Sequence, residues 1–468
     1  MELGSIETLT TKKMDVNASY ELALKQQSYT ANSLEGCVDL ALNSIPNSAF
    51  LRNAKINSKG KNITKSDLSF KGFPCILYSH IYTEFDRIFT VVNSYINQNK
   101  FSNSTKILKG QFLFTSSGET VEDIGKCVLY DGEETISIGG DIIVFTLFEP
   151  INFDKKFLSY VFNADFFNNQ KSSNSNGEIV VHIYEKQLRE IKFTYPILTE
   201  QKLISQYLDK ETQKIDSLIV KYEKKIELLK EQKMILINQY VTRGIDPNIE
   251  IKNTGLEWVG EISKQWNFAK LRWYIDDIKD GTHGSHPSLD EGKLLLSGKN
   301  VIDGFLKIQN NERRIPNESH LEITKNGFPK KGDVLVSCVG SIGRSCVYEL
   351  EDTISFQRSV CFIRPSEKID SYYLSYLIRS KTCQEQLITL TNQSTVGGVY
   401  MNDILDLVIT IPPIKEQKEI VKMLDIKVSK IDLSVFKHGK KIELLNEYRL
   451  SLISSLVTGK IRIKEDII

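Results

Sequence analysis

Hydrogen-bonding side chains gather in three short segments of the second half of the sequence. One segment reads DGTHGSHP from Asp280, one is an Ile-Gly-Arg turn that ends at Arg344, and one reads SFQRS from Ser355. Hydroxyl, imidazole, amide and guanidinium groups are the groups that read the edges of nucleic-acid bases. The candidate contact residues in this half are Thr282, His283, Ser285, His286, Arg344, Gln357 and Arg358.

A second set of such side chains occurs in the first half of the sequence. The run GFPCILYSHIYT supplies Tyr78, Ser79 and Tyr82, and the run SSGETVEDIGK supplies Ser116, Ser117, Glu119 and Lys126. A carboxylate such as that of Glu119 can accept a hydrogen bond from a cytosine amino group. An alternative stays open for both sets, because glycine-rich segments are often only turns and loop histidines are often only solvated.

The sequence offers little for catalysis or metal binding. It contains no GxxxxGK[ST] phosphate loop, no HExxH zinc motif, no GxSxG nucleophile motif and no Asn- or Asp-Pro-Pro-aromatic segment. His283 and His286 have too few further ligands at a suitable spacing for zinc. We therefore predict no catalytic residue, no metal site and no cofactor bound by this chain.

The composition indicates the cellular compartment of the protein more clearly than its function. The seven cysteines form no CxxC pair, which favours reduced and mostly buried thiols in a cytoplasmic protein. The sequence has no apolar run of the roughly 18 residues that a membrane helix needs, and its first residues lack the apolar stretch of a signal peptide. A net charge of +1 neither supports nor excludes a basic groove on one face.

A long internal repeat organises the chain. Residues 196–242 align without a gap to residues 412–458, each position lying 216 residues before its counterpart. Apolar residues in both copies recur in alternating steps of four and three, which is the heptad pattern of a coiled coil. The predicted seam contains Ile215, Ile219, Ile226, Leu229 and Leu236 in the first copy and Ile431, Val435, Ile442, Leu445 and Leu452 in the second. One cation lies within each seam, Lys233 or Arg449, where it could fix the register.

The segments that precede the helices also repeat. KGQFLFTSSGETVEDIGKCVLY in the first half corresponds to KGDVLVSCVGSIGRSCVYEL in the second. The fold class predicted is α+β, with two pseudo-symmetric β-rich domains separated by two long helices that form an antiparallel coiled coil. The boundaries predicted are 1–195 and 245–411 for the β-rich domains and 196–244 and 412–468 for the helical regions, with a linker at 244–255.

These features resemble the specificity subunits of type I restriction–modification systems. The resemblance lies in the PxxxEQ opening, the Ile-Asp step and the KKIELL run of both helices, in TGLEWVGEI from Thr254, and in the DGTH segment. A run similar to PCILYSHIYT also occurs in some members, although Ser79 stands where glycine is usual. The resemblance covers nearly the whole chain and identifies the β-rich domains as target-recognition domains.

The resemblance implies a DNA-binding function without catalysis. Each target-recognition domain would read one half of an asymmetric, split double-stranded DNA target, and the helices would set the gap and dock two modification (methyltransferase) subunits. S-adenosylmethionine, ATP and Mg²⁺ would belong to the modification subunits and to any restriction (translocase and nuclease) subunits. The alternative is a non-catalytic coiled-coil adaptor whose recognition domains have degenerated.

Overall fold

The computed structural model describes residues 47–50, 54–118, 120–121, 123–147, 152–175, 181–325, 327–392 and 398–463. These residues group into two compact units. The first unit runs to Ile219 and resumes at Glu443, and the second spans Val220–Ile442. Among the helices of the described residues, none combines the length and apolarity that crossing a membrane requires.

The first unit is built on two small sheets with helices around them. Its strands are β1 (Asn47–Phe50), β2 (Ala54–Lys59), β3 (Phe73–Ile76), β4 (Ile88–Phe89), β5 (Tyr95–Ile96), β6 (Thr105–Ile107), β7 (Phe112–Thr115), β8 (Ser117–Gly118), β9 (Cys127–Tyr130), β10 (Ile136–Ile138), β11 (Ile142–Leu147), β12 (Val181–His182) and β13 (Lys192–Tyr195). Its short helices are α1 (Tyr78–Thr83), α2 (Gln98–Asn103), α3 (Lys155–Val161), α4 (Asp165–Asn174) and α5 (Glu185–Arg189), and the long helix α6 (Leu198–Arg243) begins in it.

The larger sheet of the first unit has the strand order β2-β11-β7-β9-β4, and the other has the order β5-β3-β10-β6. Every residue of β7 and β9 is buried, as expected for strands covered on both faces. The Phe162 ring, which follows α3, contacts the rings of Phe112 and Phe114 in the core beneath this sheet. Burial of apolar surface, to which such aromatic side chains contribute large areas, is the main favourable term in folding.

The second unit repeats this plan in shorter form. Its strands are β14 (Ile251–Asn253), β15 (Glu261–Ser263), β16 (Asn267–Lys270), β17 (Ile275–Asp280), β18 (Lys293–Leu296), β19 (Val301–Ile302), β20 (Phe305–Leu306), β21 (Arg314–Ile315), β22 (Val334–Ser337), β23 (Ser345–Val347), β24 (Ser355–Phe356), β25 (Val360–Pro365) and β26 (Val408–Ile411). Its helices are α7 (Asn317–Lys325), α8 (Ser371–Arg379), α9 (Lys381–Asn392) and α10 (Met401–Leu405), and the long helix α11 (Ile414–Val457) begins in it.

The sheet orders show that the two units share one topology. The order β17-β25-β22-β23 in the second unit matches β2-β11-β7-β9 in the first, and β21-β18-β24 matches β5-β3-β10. The parallel pair of β18 with β24 has its counterpart in β3 with β10. The small sheet of β16 with β26 likewise matches that of β1 with β13. The prediction of two pseudo-symmetric β-rich domains is thereby confirmed.

The two long helices pair antiparallel within each unit. In the first unit, Asp216 of α6 lies 3.2 Å from Arg449 of α11, and Glu200 lies 3.7 Å from Arg462 beyond it. In the second unit, the Tyr222 ring stacks on His438 of α11 with the ring centres 5.2 Å apart, and Lys233 lies 2.7 Å from Asp432.

Burial follows the predicted heptad pattern along both helices. Each of the ten predicted seam residues is buried or half-buried, whereas most residues between them are exposed. Ile215 and Leu452 belong to the core of the first unit, with Ile219 and Leu445 packed against it. Gly244 and Gly459 follow the helix ends with φ of 80° and 72°, the left-handed conformation in which helices commonly terminate. The coiled coil is therefore confirmed.

One local expectation was wrong. The segment 244–255, predicted as a linker, contains strand β14, which pairs antiparallel with β15. Trp266, which follows β15, is buried, and its indole N–H donates to Glu416 of α11 at 3.0 Å. The predicted domain boundaries themselves remain predictions, because each unit includes parts of both long helices.

Candidate nucleic-acid interface

Polar loops of the second unit meet at one end of its larger sheet. Strands β17 and β22 end there, at Asp280 and Ser337, and strands β23 and β25 begin there, at Ser345 and Val360. Because neighbouring antiparallel strands run in opposite directions, their connecting loops emerge at the same edge. The loops after residue 280, around residue 340 and before residue 360 therefore form one cluster, which we call the second loop cluster.

The DGTH segment crosses directly over the SFQRS segment in this cluster. Thr282 N–H donates to Phe356 O at 2.8 Å, and Arg358 N–H donates to Thr282 O at 3.0 Å. Gly281 is required at the crossing, since a Cβ there would lie 2.2 Å from Phe356 O. Thr282, Gln357 and Arg358 are thus brought together.

The two histidines of this loop lie beside groups that order the loop itself. His283 Nε2 lies 2.7 Å from Asp280 Oδ2, and its side chain is mostly exposed. His286 Nε2 lies 3.0 Å from Thr282 Oγ1, and Arg313 donates to His286 O. Ser285 is exposed. The loop is therefore held in shape while His283 and Ser285 face solvent.

Arg344 and Arg358 are the unengaged cations of the second loop cluster. Arg358 is exposed and Arg344 is half-buried. Across the part of the chain that the structure describes, neither guanidinium forms an ion pair or a side-chain hydrogen bond. The backbone of Arg344 is fixed instead, because its N–H donates to Ser337 Oγ at 3.1 Å. A fixed backbone with a free guanidinium suits contact with guanine or phosphate.

A pocket of about 320 Å³ adjoins the DGTH segment. Asp280, Thr282 and His283 form its polar side, and Phe328 and Phe356 line its apolar side. Within the described ranges, no group of three or more His, Cys, Asp or Glu side chains is placed to hold a metal ion. The cluster thus presents hydrogen-bonding groups and cations on an ordered backbone.

The first loop cluster lies at the corresponding end of the larger sheet of the first unit. Strands β2 and β7 end there, at Lys59 and Thr115, and strands β9 and β11 begin there, at Cys127 and Ile142. Tyr78 and Ser79 of α1 are exposed beside it, and the Tyr78 ring meets the Tyr82 ring edge to face at 6.5 Å. Glu119 lies outside the described residues.

The other predicted residues of the first loop cluster are used within the domain. Ser116 and Ser117 are buried, and Ser117 Oγ lies 3.0 Å from His182 Nδ1. The Tyr82 hydroxyl lies 2.7 Å from Thr115 Oγ1 and donates toward Ser117 O at 3.1 Å. DNA contact by these three side chains stays a prediction, and their observed role is to order the turn that follows β7.

Lys126 is engaged in the same way. Its ammonium donates to Phe85 O at 2.6 Å, and burial lowers the pKa of this lysine. The preceding Gly125 O accepts from Lys171 Nζ at 2.6 Å, and burial lowers the pKa of Lys171 to about 8. In the second unit the corresponding Gly343 O accepts from Gln384 Nε2 at 3.1 Å. The two Ile-Gly turns are therefore braced alike, but only the second leaves its cation available.

The glutamine of the EQ motif fastens each long helix to its β-rich domain. Gln201 Oε1 accepts from Asp154 N–H at 2.9 Å, and its Nε2 donates to Pro196 O and Asn152 O. Gln417 makes the same three hydrogen bonds, to Asp370, Pro412 and Lys368. Both glutamines are fully buried, so this motif belongs to the framework rather than to the interface.

Sequence reasoning missed Lys61 and Asn62 in the first loop cluster. Both are exposed, and they follow Gly60 as Thr282 and His283 follow Gly281. The corresponding segments read KGKN in the first half and DGTH in the second. They share only the glycine, which is too little to align them without the sheet topology.

Comparison with known proteins identifies one family. The model of the type I restriction modification DNA specificity domain matches residues 54–228 and 292–444. The chain is similar to the specificity subunit of the type I restriction enzyme MjaVIII from Methanocaldococcus jannaschii, with 29% identity over 299 residues, covering 62% of this chain and 67% of the relative. It is 24% identical over 262 residues to the EcoBI specificity subunit of Escherichia coli, covering 54% of this chain and 55% of that relative.

A solved structure shares the fold. A chain from work on complex assembly and conformational transition of the type I R-M system superposes with a TM-score of 0.65. The superposition covers 90% of this chain and 100% of the other at 14% sequence identity. At this identity the likeness concerns the fold alone.

Proposed function

Since this chain belongs to the type I restriction modification DNA specificity family, we propose that it reads the DNA target for a type I restriction–modification complex. The observation that carries the proposal is the duplicated loop cluster. Two domains of one topology each present polar loops at the same edge of the larger sheet, on backbones that hydrogen bonds hold in place. Direct readout requires such preorganised donors and acceptors.

The target proposed is asymmetric and split into two half-sites. Two related domains can each meet one half-site of a duplex. Their framework residues agree, but the tips of the loops differ, with Gly139-Gly140 in the first unit where Gln357-Arg358 stands in the second. Because unlike side chains prefer unlike bases, the half-sites should differ in sequence.

The long helices are proposed to dock two modification subunits. Away from the seam, apolar residues are exposed at three matching places in both copies: Val220, Leu228 and Met234 in α6, and Phe436, Leu444 and Leu450 in α11. These repeated exposed side chains are the proposed contacts with the modification subunits. Because the two sets are equivalent, they favour two copies of one partner.

Chemistry is proposed to reside in the partner subunits. Modification subunits would supply S-adenosylmethionine and transfer its methyl group to adenine, and restriction subunits would use ATP and Mg²⁺. This chain would act without a catalytic residue of its own, in the cytoplasm, where the complex meets the DNA. Its contribution would be the choice of the sequence and of the gap between half-sites.

Mapping of methylated adenines tests the proposal. The full chain, assembled with its cognate modification subunit, should methylate adenines within one split sequence, and the modification subunit alone should not. Arg358→Ala should relax base preference in one half-site only. Lys331→Ala is the matched control, since it removes one exposed cation at the opposite end of β22 and should leave the methylated sequence unchanged.

Two results would overturn the proposal. Methylation or cleavage of DNA by the purified chain alone would contradict a non-catalytic role. Stable assembly with the modification subunit but no sequence-selective, salt-dependent DNA binding by the complex would favour the adaptor alternative.

A further inference from the structure

The close crossing of loops is the same in both units, and it fixes which residues correspond. Gly60 N–H donates to Ile142 O at 2.9 Å, and Gly281 N–H donates to Val360 O at 3.1 Å. A Cβ on Gly60 would lie 1.6 Å from Gly139 O, and one on Gly281 would lie 2.2 Å from Phe356 O. Each crossing therefore demands glycine for the same reason.

The strand registers give the same correspondence independently. Lys59 pairs with Ile143 across β2 and β11, and Asp280 pairs with Cys361 across β17 and β25. The segment crossed in each unit follows the short strand that pairs parallel, at Ile138 or Phe356. Lys61 and Asn62 consequently occupy the places that Thr282 and His283 occupy in the second unit.

We propose that Lys61 and Asn62 are specificity-determining DNA contacts of the first domain. Both side chains are exposed, and within the described residues the Lys61 ammonium has no ion pair or hydrogen bond. The Asn62 amide makes one long hydrogen bond, 3.4 Å to Asn103 O. This proposal rests on the proposed function and adds contact residues to it.

Chemistry supports a division of roles between these two residues. A lysine ammonium neutralises phosphate or donates to guanine, and an asparagine amide can pair with adenine in both directions. The crossed segment of the first unit ends in Gly139-Gly140, which has no side chains to contact bases as proposed for Gln357-Arg358 in the second unit. In the first loop cluster, Lys61 and Asn62 are the exposed polar pair that replaces them.

The asparagine at position 62 could serve the backbone rather than DNA contact, so the experiment must separate these two roles. Its φ is 62°, a left-handed conformation in which asparagine is one of the few favoured residues. Asn62→Gly removes the amide, and glycine adopts this backbone conformation without strain. Lys61→Ala removes the ammonium, and Lys61→Arg restores a cation. Lys109→Ala is the charge-matched control at the opposite end of β7, where Lys109 pairs with Glu133.

The full chain assembled with its modification subunit is the material for the test. Lys61→Ala should weaken binding to the cognate duplex about tenfold and reduce its salt dependence, while Lys61→Arg should recover most of the loss. Asn62→Gly should broaden base preference at one position of one half-site in the methylated-adenine map. Lys109→Ala should match the wild type in both measurements, and all variants should share its thermal unfolding midpoint.

The outcomes distinguish this inference from the proposed function. If the wild-type complex methylates one split sequence but Lys61→Ala and Asn62→Gly leave affinity and base preference unchanged, the inference is wrong and the function stands. If Asn62→Gly behaves as wild type while Lys61→Ala alone weakens binding, Asn62 has only its backbone role. If the wild-type complex selects no sequence, the proposed function itself fails.

Discussion

The two Ile-Gly-cation turns have the same sequence pattern, but only the cation of the first turn is bonded within its domain. In the first unit, Lys126 points its ammonium into the domain and donates to Phe85 O at 2.6 Å. In the second unit, the Arg344 guanidinium makes no such contact with any described residue. The first connection is also longer, with residues 116–126 between β7 and β9 against residues 338–344 between β22 and β23. The shared Ile-Gly-cation motif therefore marks the same place in the fold of each unit, but it does not predict whether the cation is bonded within the domain.

The framework around these turns is duplicated much more faithfully. Gln201 and Gln417 make the same three buried hydrogen bonds, and Gly60 and Gly281 make the same close crossing. A buried polar group that loses its partner carries a large cost, so such positions change little, whereas exposed loop tips change at small cost. The two units therefore share one architecture and differ in the exposed tips of their loops.

The largest effect should come from the duplicated framework. Gln201→Leu and Gln417→Leu should each lower the free energy of unfolding by about 2–4 kcal/mol, because each removes the three hydrogen bonds of a fully buried amide. Denaturant unfolding of the full chain measures the loss. Gln206→Leu, at an exposed position of α6, is the control and should change stability by less than about 0.5 kcal/mol. Clearly unequal losses for the two buried glutamines would break the equivalence of the units.

The two cations of the turns should separate stability from DNA affinity. Arg344→Ala should weaken binding of the assembled complex to its target about 10- to 100-fold with an unchanged unfolding midpoint, since the lost guanidinium has no ion pair or hydrogen bond among the described residues. Lys126→Ala should instead destabilise the chain by about 1–3 kcal/mol, because Phe85 O loses its donor. Lys126→Ala with normal stability and weakened binding would restore Lys126 as a DNA contact and remove the contrast.

A pH dependence should distinguish the two braces of the Ile-Gly turns. Lys171 has a pKa of about 8 in the folded chain against 10.5 when unfolded, because burial disfavours its charge. Between these values the unfolded chain binds more protons, so stability should rise with pH. Relative to Lys171→Gln, which copies Gln384, the wild type should gain about 1–2 kcal/mol between pH 8 and 9.5. If the difference in unfolding free energy stays constant or falls over this range, the pKa of Lys171 is not lowered by burial.

The sequence predicts the repeated features best. The heptad seam and the two-domain plan are legible because identical residues recur at one fixed spacing, and burial along α6 and α11 follows that pattern. Which loop residues are available for DNA contact is harder to predict. The sequence does not show whether a hydroxyl or ammonium group is exposed or forms a hydrogen bond within the domain. Tyr82 and Lys126 bond inward to partners more than 30 residues away, which only the folded chain reveals. Lys61 was missed because its equivalence to Thr282 rests on strand pairing.

The smallest effect should come from the seam cations, and it sharpens the comparison of the helices. Lys233–Asp432 and Arg449–Asp216 are counterpart ion pairs at 2.7 Å and 3.2 Å, so the antiparallel register is marked twice. Both carboxylates are about half exposed, and such pairs contribute roughly 0–1 kcal/mol. Replacing both cations by Leu should therefore raise the unfolding midpoint slightly, because an apolar seam packs better, yet loosen the register that a polar residue specifies. The mapped gap between half-sites, or assembly with the modification subunit, should then change, whereas Lys233→Arg should preserve both. An unchanged gap and unchanged assembly in the double Leu variant would show that apolar packing alone sets the register.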